Sequence, residues 1–232
     1  MTAVYATGER GAREASREGA AVVAVDAFRA STTIAVLVRK GAWVIPVASI
    51  EEAAVYSGAD YRIGEHGSVK ARGFDFGNSP TEIEAEELAP GAKVVLSTTN
   101  GTRIIEAAHG AYTVLAGAFV NAHVVADELA TGAWGMRVAV IGCGWEGRRS
   151  GEDESAAGAI LHRLRERGAG LDERAEWAVR LYLARPESSL RRNSAARRLV
   201  RLGYEKDLDF CLAENTVPAI PCLEGDAFVD RR

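Results

Sequence analysis

Two short runs carry side chains that a hydrophobic core does not need. Gly73-Phe74-Asp75-Phe76-Gly77-Asn78-Ser79-Pro80 and Ser97-Thr98-Thr99-Asn100-Gly101-Thr102-Arg103 set carboxylate, amide, hydroxyl and glycine side by side. The second follows directly on the apolar Lys93-Val94-Val95-Leu96. Such runs supply many small polar groups without bulk, which suits a small, highly charged ligand. Asp26, Glu65, Asp75, Glu146 and Asp153 are candidate ligands for a hard cation. Mg2+ takes one or two protein carboxylates and keeps water and phosphate oxygens for its other positions. Asp26 ends the buried-type run Ala20-Ala21-Val22-Val23-Ala24-Val25, where an unpaired charge is costly. Asp75 and Asp153 fit turn or helix caps equally well.

Other groups add anion chemistry. Arg29 and Arg103 are able to grip phosphate or sulfonate oxygens in a bidentate fork, or to sit on the surface. Ser31-Thr32-Thr33 and Gly101-Thr102 stand at helix starts, where N–H groups and hydroxyls meet anions, and where plain N-capping is the competing explanation. Asn78, Ser79, Thr98, Thr99, Asn100 and Asn121 complete the polar set for a small anionic substrate. His66 is a candidate general acid beside Glu65, with Asp26 as the third catalytic candidate. His109, His123 and His162 read as structural or exposed.

Two further motifs lie in one stretch. Gly142-Cys143-Gly144-Trp145-Glu146-Gly147 satisfies G-x-G-x-x-G after a strand, but a dinucleotide fold places this motif after its first strand. Cys143 and Arg149 have the spacing of cysteine-dependent phosphatases, in which a thiolate attacks phosphorus. Glu146 inside that loop would repel thiolate and phosphate alike, so a small half-buried cysteine is the plainer reading.

Positioning these groups falls to alternating elements. Apolar runs at 20–25, 43–47, 61–63, 93–96, 112–116 and 137–141 read as strands, and 31–40, 102–109, 122–129 and 152–167 as helices. The alternation predicts an α/β fold: three layers, a mainly parallel sheet with helices on both faces, and a C-terminal helical layer over 170–205. The whole chain, 1–232, is expected to form one domain. In open parallel sheets ligands bind beyond the carboxyl ends of the strands. Asp26, Glu65, Thr98 to Asn100, Asn121 and Glu146 all follow apolar runs, and their agreement is stronger than any one of them. The Arg-rich stretch from Arg174 to Arg201 reads as a solvated helix face.

The 232 residues are 47% hydrophobic, enough for a sizeable core, and the net charge of -4 argues against a nucleic-acid surface. Three cysteines suit a reducing compartment. With no signal-type N-terminus and no bilayer-spanning run, a soluble cytoplasmic protein is expected, without a membrane partner. A homodimer is compatible with this size.

Taken in series, Val25 to Thr33, Gly64-Glu65, Gly73 to Pro80, Thr98 to Arg103, Ala118 to Ala122 and Gly144 to Asp153 resemble the 2-phosphosulfolactate phosphatase family, with Asp209-Phe210-Cys211-Leu212 as a weaker tail motif. The resemblance implies Mg2+-dependent hydrolysis of 2-phosphosulfolactate to sulfolactate and phosphate, as used in sulfonate metabolism including coenzyme M biosynthesis. His66, Trp145 and Arg149-Ser150-Gly151 depart from the residues that resemblance leads one to expect. Asp26 stands as metal ligand or as a nucleophile forming an aspartyl-phosphate, although Phe28 occupies the place where a second Asp would support the covalent route. Two alternatives stay open: a phosphatase using Cys143 and Arg149, and a catalytically silent binder of small anions.

Overall fold

The structure, a computed structural model, describes residues 1–145 and 147–232. In chain order the elements are β1 (Thr2–Thr7), α1 (Gly8–Arg17), β2 (Ala21–Val25), α2 (Ala30–Arg39), β3 (Trp43–Pro46), α3 (Ile50–Val55), β4 (Tyr61–His66), β5 (Val69–Lys70) and α4 (Pro80–Ala85). Then come β6 (Lys93–Ser97), α5 (Gly101–Ala107), β7 (Thr113–Ala116), a 3-10 turn at Phe119–Asn121, α6 (Ala122–Ala130) and β8 (Arg137–Gly142). The remainder is α7 (Gly151–Glu166), β9 (Gly170–Leu171), α8 (Glu173–Ala184), α9 (Glu187–Leu190), α10 (Ser194–Arg201), α11 (Glu205–Leu212), β10 (Pro221–Glu224) and β11 (Ala227–Asp230).

The expected α/β class holds. One sheet runs β5-β4-β6-β3-β11-β10-β7-β2-β8-β1-β9. It contains two parallel blocks, β4-β6-β3 and β7-β2-β8-β1-β9, joined by the antiparallel hairpin β10–β11. All five residues of β2 are buried, as an unbroken apolar run demands of a strand covered on both faces. Ala21, Val23 and Val25 face a cluster built with α6, α7 and α8. Val22 and Ala24 face the opposite cluster with α1, α2 and α5, which also holds Val44 of β3 and Leu96 of β6. Helix α2 is apolar almost all round and buried from Ala30 to Val38. It ends at Gly41, whose φ of +82° and N–H bond to Val38, with Ala42 N–H on Leu37, form a Schellman cap. Pro46 closes β3, a strand end where its missing N–H costs nothing.

Two parts of the sheet lie outside the sequence expectation. The charged, Ala-rich N-terminus forms β1 and α1, and the C-terminus adds a hairpin beyond the helical layer. Both involve short strands of mixed polarity, which lack a clear period of two. Among the described residues, no helix is long and apolar enough to cross a membrane.

Candidate active site

The apolar run of β2 stops at Val25, and Asp26 begins a tight entry into α2. Its N–H donates to Ser31 Oγ (3.0 Å), and Ser31 Oγ donates on to the Ala24 carbonyl (3.0 Å). Thr32 Oγ1 likewise donates to the Ala27 carbonyl (3.2 Å). Both hydroxyls are therefore engaged in shaping the turn. The Phe28–Arg29 peptide bond is cis. Among the described residues the Asp26 carboxylate accepts one long hydrogen bond, 3.3 Å from Ala30 N–H to Oδ1. A Cβ on residue 101 would stand 3.3 Å from Asp26 Oδ2, so Gly101 lets the start of α5 close on the carboxylate. Burial, opposed by the Ala30 N–H and reinforced by Glu65 and Glu152, pushes the Asp26 carboxyl up to about 7.

A polar cleft joins Asp26 to Arg29, Glu65, Asn78, Asn100 and Asp153. Glu65 ends β4 pointing inward. Its Oε1 accepts Thr99 N–H and Oγ1 (2.9 Å each), and its Oε2 accepts Ser68 N–H (2.5 Å). Asp153, in the first turn of α7, accepts Ala27 N–H on Oδ1 and Gly144 N–H on Oδ2 (2.8 Å each). Those two bonds tie the loops after β2 and β8 together. Burial, then Glu152, then Asp26 raise the Asp153 carboxyl well above the usual carboxylate range.

Several candidates fall elsewhere. His66 follows Glu65 in the same strand, so the alternation of side chains turns it outward, exposed. Asp75 is exposed and accepts Arg62 N–H (2.7 Å), a bond to strand β4 thirteen residues away and neither a metal site nor the turn or helix cap that was the alternative. Arg103 is exposed and lines a separate cavity with Glu9, Arg13 and Glu106. Asn121 is buried and fully used, accepting Ala118 N–H and donating to the Ala116 and Ala219 carbonyls. Ser79 caps α4 and donates to Asp207 (2.8 Å). Thr102 donates to the Thr98 carbonyl (3.0 Å), while among the described residues Thr98 Oγ1 and Asn78 Oδ1 are buried without a hydrogen-bond partner. Glu146 lies outside the described residues.

The cleft lining also includes residues that the motif reading passed over as site groups, four of them being Ser68, Trp145, Glu152 and Arg198. Glu152 accepts Ser150 Oγ on one oxygen and Asn193 Nδ2 (2.7 Å) on the other. Arg198 belongs to the stretch expected to be a solvated face. A further missed residue, Asp207, lies just behind the cleft and is 1% exposed. It accepts Arg29 Nη1 (2.6 Å), Ser79 Oγ, Thr81 N–H (3.2 Å) and Thr81 Oγ1. Its neighbour in the tail motif, Asp209, instead pairs with Arg191 on the surface.

Cys143 is buried, and burial followed by the charges of Asp26 and Asp153 raises its thiol well above the ordinary range. Arg149 pairs with Glu154 and stacks on Trp177, 4.5 Å from the ring centroid. It lines a different and wider cavity of about 490 Å³, with Arg174, Arg180 and the single acid Glu173.

Acidic side chains gathered where strands of a mainly parallel sheet end, with guanidinium groups beside them, make a site for a small anionic substrate. The comparison with known proteins agrees. Residues 7–226 match the family described as 2-phosphosulpholactate phosphatase, and the chain belongs to that family. It is a phosphoric monoester hydrolase. A probable 2-phosphosulfolactate phosphatase of Thermotoga petrophila is 35% identical over 210 residues, covering 89% of this chain and 90% of its own. One from Gloeobacter violaceus is 39% identical over 208 residues, covering 86% of each chain. One from Carboxydothermus hydrogenoformans is 38% identical over 213 residues, covering 88% of this chain and 86% of its own.

Proposed function

We propose that the chain is a Mg2+-dependent phosphatase that hydrolyses 2-phosphosulfolactate to sulfolactate and inorganic phosphate. The observation that carries the reading is Asp26, a walled-in carboxylate with one long hydrogen bond and like charges beside it. Such a group is under-compensated in the protein alone, and a cation supplies what is missing. Among the described residues, no three His, Cys, Asp or Glu side chains form a closed metal cage. What supports the fit is the oxygen-only chemistry of Asp26, Glu65, Glu152 and Asp153 around the cleft, because Mg2+ binds through few carboxylates and fills its shell from water and phosphate. Asp26 and Asp153 are the residues that would hold it, since both are oxygen donors that line the cleft. Bound there, the ion neutralises phosphoryl oxygens and activates water.

The chain's own groups do the rest. Asp153 fixes the two loops that flank the phosphoryl position through its bonds to Ala27 and Gly144. Glu65 holds the Ser68 and Thr99 backbones in register at the opposite wall. Phe28 and Trp145 add apolar surface to the border of the cleft. Water adds to phosphorus and gives up a proton, the ester P–O bond breaks, and sulfolactate leaves with that oxygen, which takes up a proton to become its hydroxyl.

The Cys143 route loses support, because a protonated buried thiol is a poor nucleophile and its arginine faces another cavity. Three buried, unpaired cysteines suit a reducing cytoplasm, and the reaction belongs to sulfonate metabolism of the coenzyme M type. The test is phosphate release from 2-phosphosulfolactate with Mg2+, after EDTA, and after Mg2+ is restored. Turnover is expected to vanish and return, and to fall by orders of magnitude in Asp26→Asn with the fold intact. Activity that survives chelation and disappears in Cys143→Ser would overturn the proposal.

A further inference from the structure

Resting on that substrate reading, we infer that Arg198 grips the sulfonate of the substrate and that Ser68 is the residue that holds Arg198 in position. Two guanidinium groups line the cleft, and they are not equivalent. Arg29 is 2% exposed and bound at both Nη atoms. Its Nη1 donates to Asp207 (2.6 Å), its Nη2 to the Ser68 carbonyl (2.9 Å), and its face lies 4.3 Å from the Tyr204 ring centroid. It is a structural cation, already neutralised.

Arg198 is the reverse case. Asp26, Glu65, Glu152 and Asp153 line the same cleft, yet among the described residues Arg198 pairs with no carboxylate. It is nonetheless tightly placed. Its Nε donates to Ser68 Oγ (3.1 Å), and its plane lies 3.7 Å from the Trp145 ring centroid. With Nε engaged, the Nη1 and Nη2 edge is left as an end-on fork, the shape that matches two oxygens of an oxyanion. A guanidinium is always charged, and so is a sulfonate, so this contact keeps its strength across the working pH range. With the phosphoryl group at a cation that Asp26 and Asp153 would hold, the open fork of Arg198 matches the three-oxygen, permanently charged sulfonate better than the planar carboxylate. Trp145 beside it provides an apolar wall for the methylene that bears the sulfonate.

Ser68 makes this arrangement depend on the carboxylate wall. It sits with Gly67 in the two-residue turn between β4 and β5, at φ +73°, a region a non-glycine residue rarely adopts. The strain is held by three bonds: N–H to Glu65, carbonyl from Arg29, Oγ from Arg198. Helix α10, which carries Arg198, is pinned from the other end. Asn193 caps it through Ala196 N–H (2.7 Å) and reaches Glu152 in the cleft through Nδ2 (2.7 Å). The C-terminal layer thus delivers a spare cation to the site.

The test compares kcat/KM for 2-phosphosulfolactate and for 2-phospholactate, which keeps the phosphate and carboxylate and lacks the sulfonate. In Arg198→Ala the preference for the sulfonated ester is expected to fall about 10- to 100-fold, mostly through KM, the size of a lost charge-assisted pair. Arg198→Lys, which keeps the charge without the fork, should recover part of it. Ser68→Ala should lower the preference less, with the pH profile unchanged. Thermal melts of all three variants check the fold. Equal losses on the two esters would assign Arg198 to the carboxylate or phosphate and overturn the inference. If wild-type protein hydrolyses neither ester, the substrate reading fails instead, and calorimetric binding of sulfolactate judges Arg198 alone. Weaker binding in Arg198→Ala then supports the sulfonate contact, and unchanged binding removes it.

Discussion

Asp26, the carboxylate proposed above to hold the metal ion, carries a cost to the fold. Its carboxyl is raised from an ordinary 3.8 to about 7, first by burial and then by Glu65 and Glu152. A group raised in the folded state favours folding in its protonated form. That contribution is complete below 3.8 and is lost as the pH rises through about 7. In EDTA, wild-type protein is therefore expected to lose thermal stability across this interval, whereas Asp26→Asn should show a shallower slope and a higher Tm at neutral pH. Mg2+ should raise the wild-type Tm and leave that of Asp26→Asn nearly unchanged, since a ligand stabilises only the state that binds it. Calorimetric melts over the interval, with and without the ion, check this; parallel pH profiles for the two proteins would refute it. Asp26 was legible because a charge at the end of an all-apolar strand needs a reason. Glu65 was legible only as one of several polar residues that follow strand-like runs, since its own run holds Arg62. His66 was not separable from it until strand β4 showed which residue of the pair points inward.

At the scale of elements, the C-terminal helices are the part of the site that motifs concealed. Arg198 and Asp207 lie 130 and 128 residues from their partners Ser68 and Ser79. An arginine-bearing helix has the same sequence whether its cations meet water or a cleft, because the partner lies outside any local window. Helix α11 carries Asp207 into a buried cluster with Arg29, Ser79 and Thr81, so it locks the turn before α2 to the start of α4. Removing one partner of a buried ion pair strands the other charge away from water, at a cost of about 3–5 kcal/mol. Asp207→Ala is expected to lose stability on that scale in urea unfolding. The double variant Arg29→Met, Asp207→Leu should recover much of it, because no charge is then left unpaired. A single variant within about 1 kcal/mol of wild type, the size of an exposed pair, would show that Arg29 finds water instead.

The molecule as a whole depends on the hairpin in the middle of its sheet. β10 and β11 stand between the block that ends at Asp26 and Gly144 and the block that ends at Glu65 and Thr99. The alternation of strands and helices revealed both blocks but not what joins them. Pro221-Cys222-Leu223-Glu224 is four residues long, contains a proline, and reads as a loop until it is paired. Cys222 meets Leu115 of β7, Phe228 meets Val44 of β3, and Gly225, at φ +64°, turns the chain in the two-residue loop between them. Phe228 is wholly buried and sits in the cluster shared by α2 and strands of both blocks. Truncating a buried phenylalanine removes its transfer free energy and leaves a cavity, together about 3–5 kcal/mol. Phe228→Ala is therefore expected to unfold at lower urea by that amount, and Phe228→Leu by less. Since the two halves of the cleft hang on different blocks, kcat/KM should fall in Phe228→Ala at temperatures where the protein is still folded. A variant that loses the stability but keeps full kcat/KM would mean that the loops around Asp26 and Glu65 hold their spacing without the hairpin.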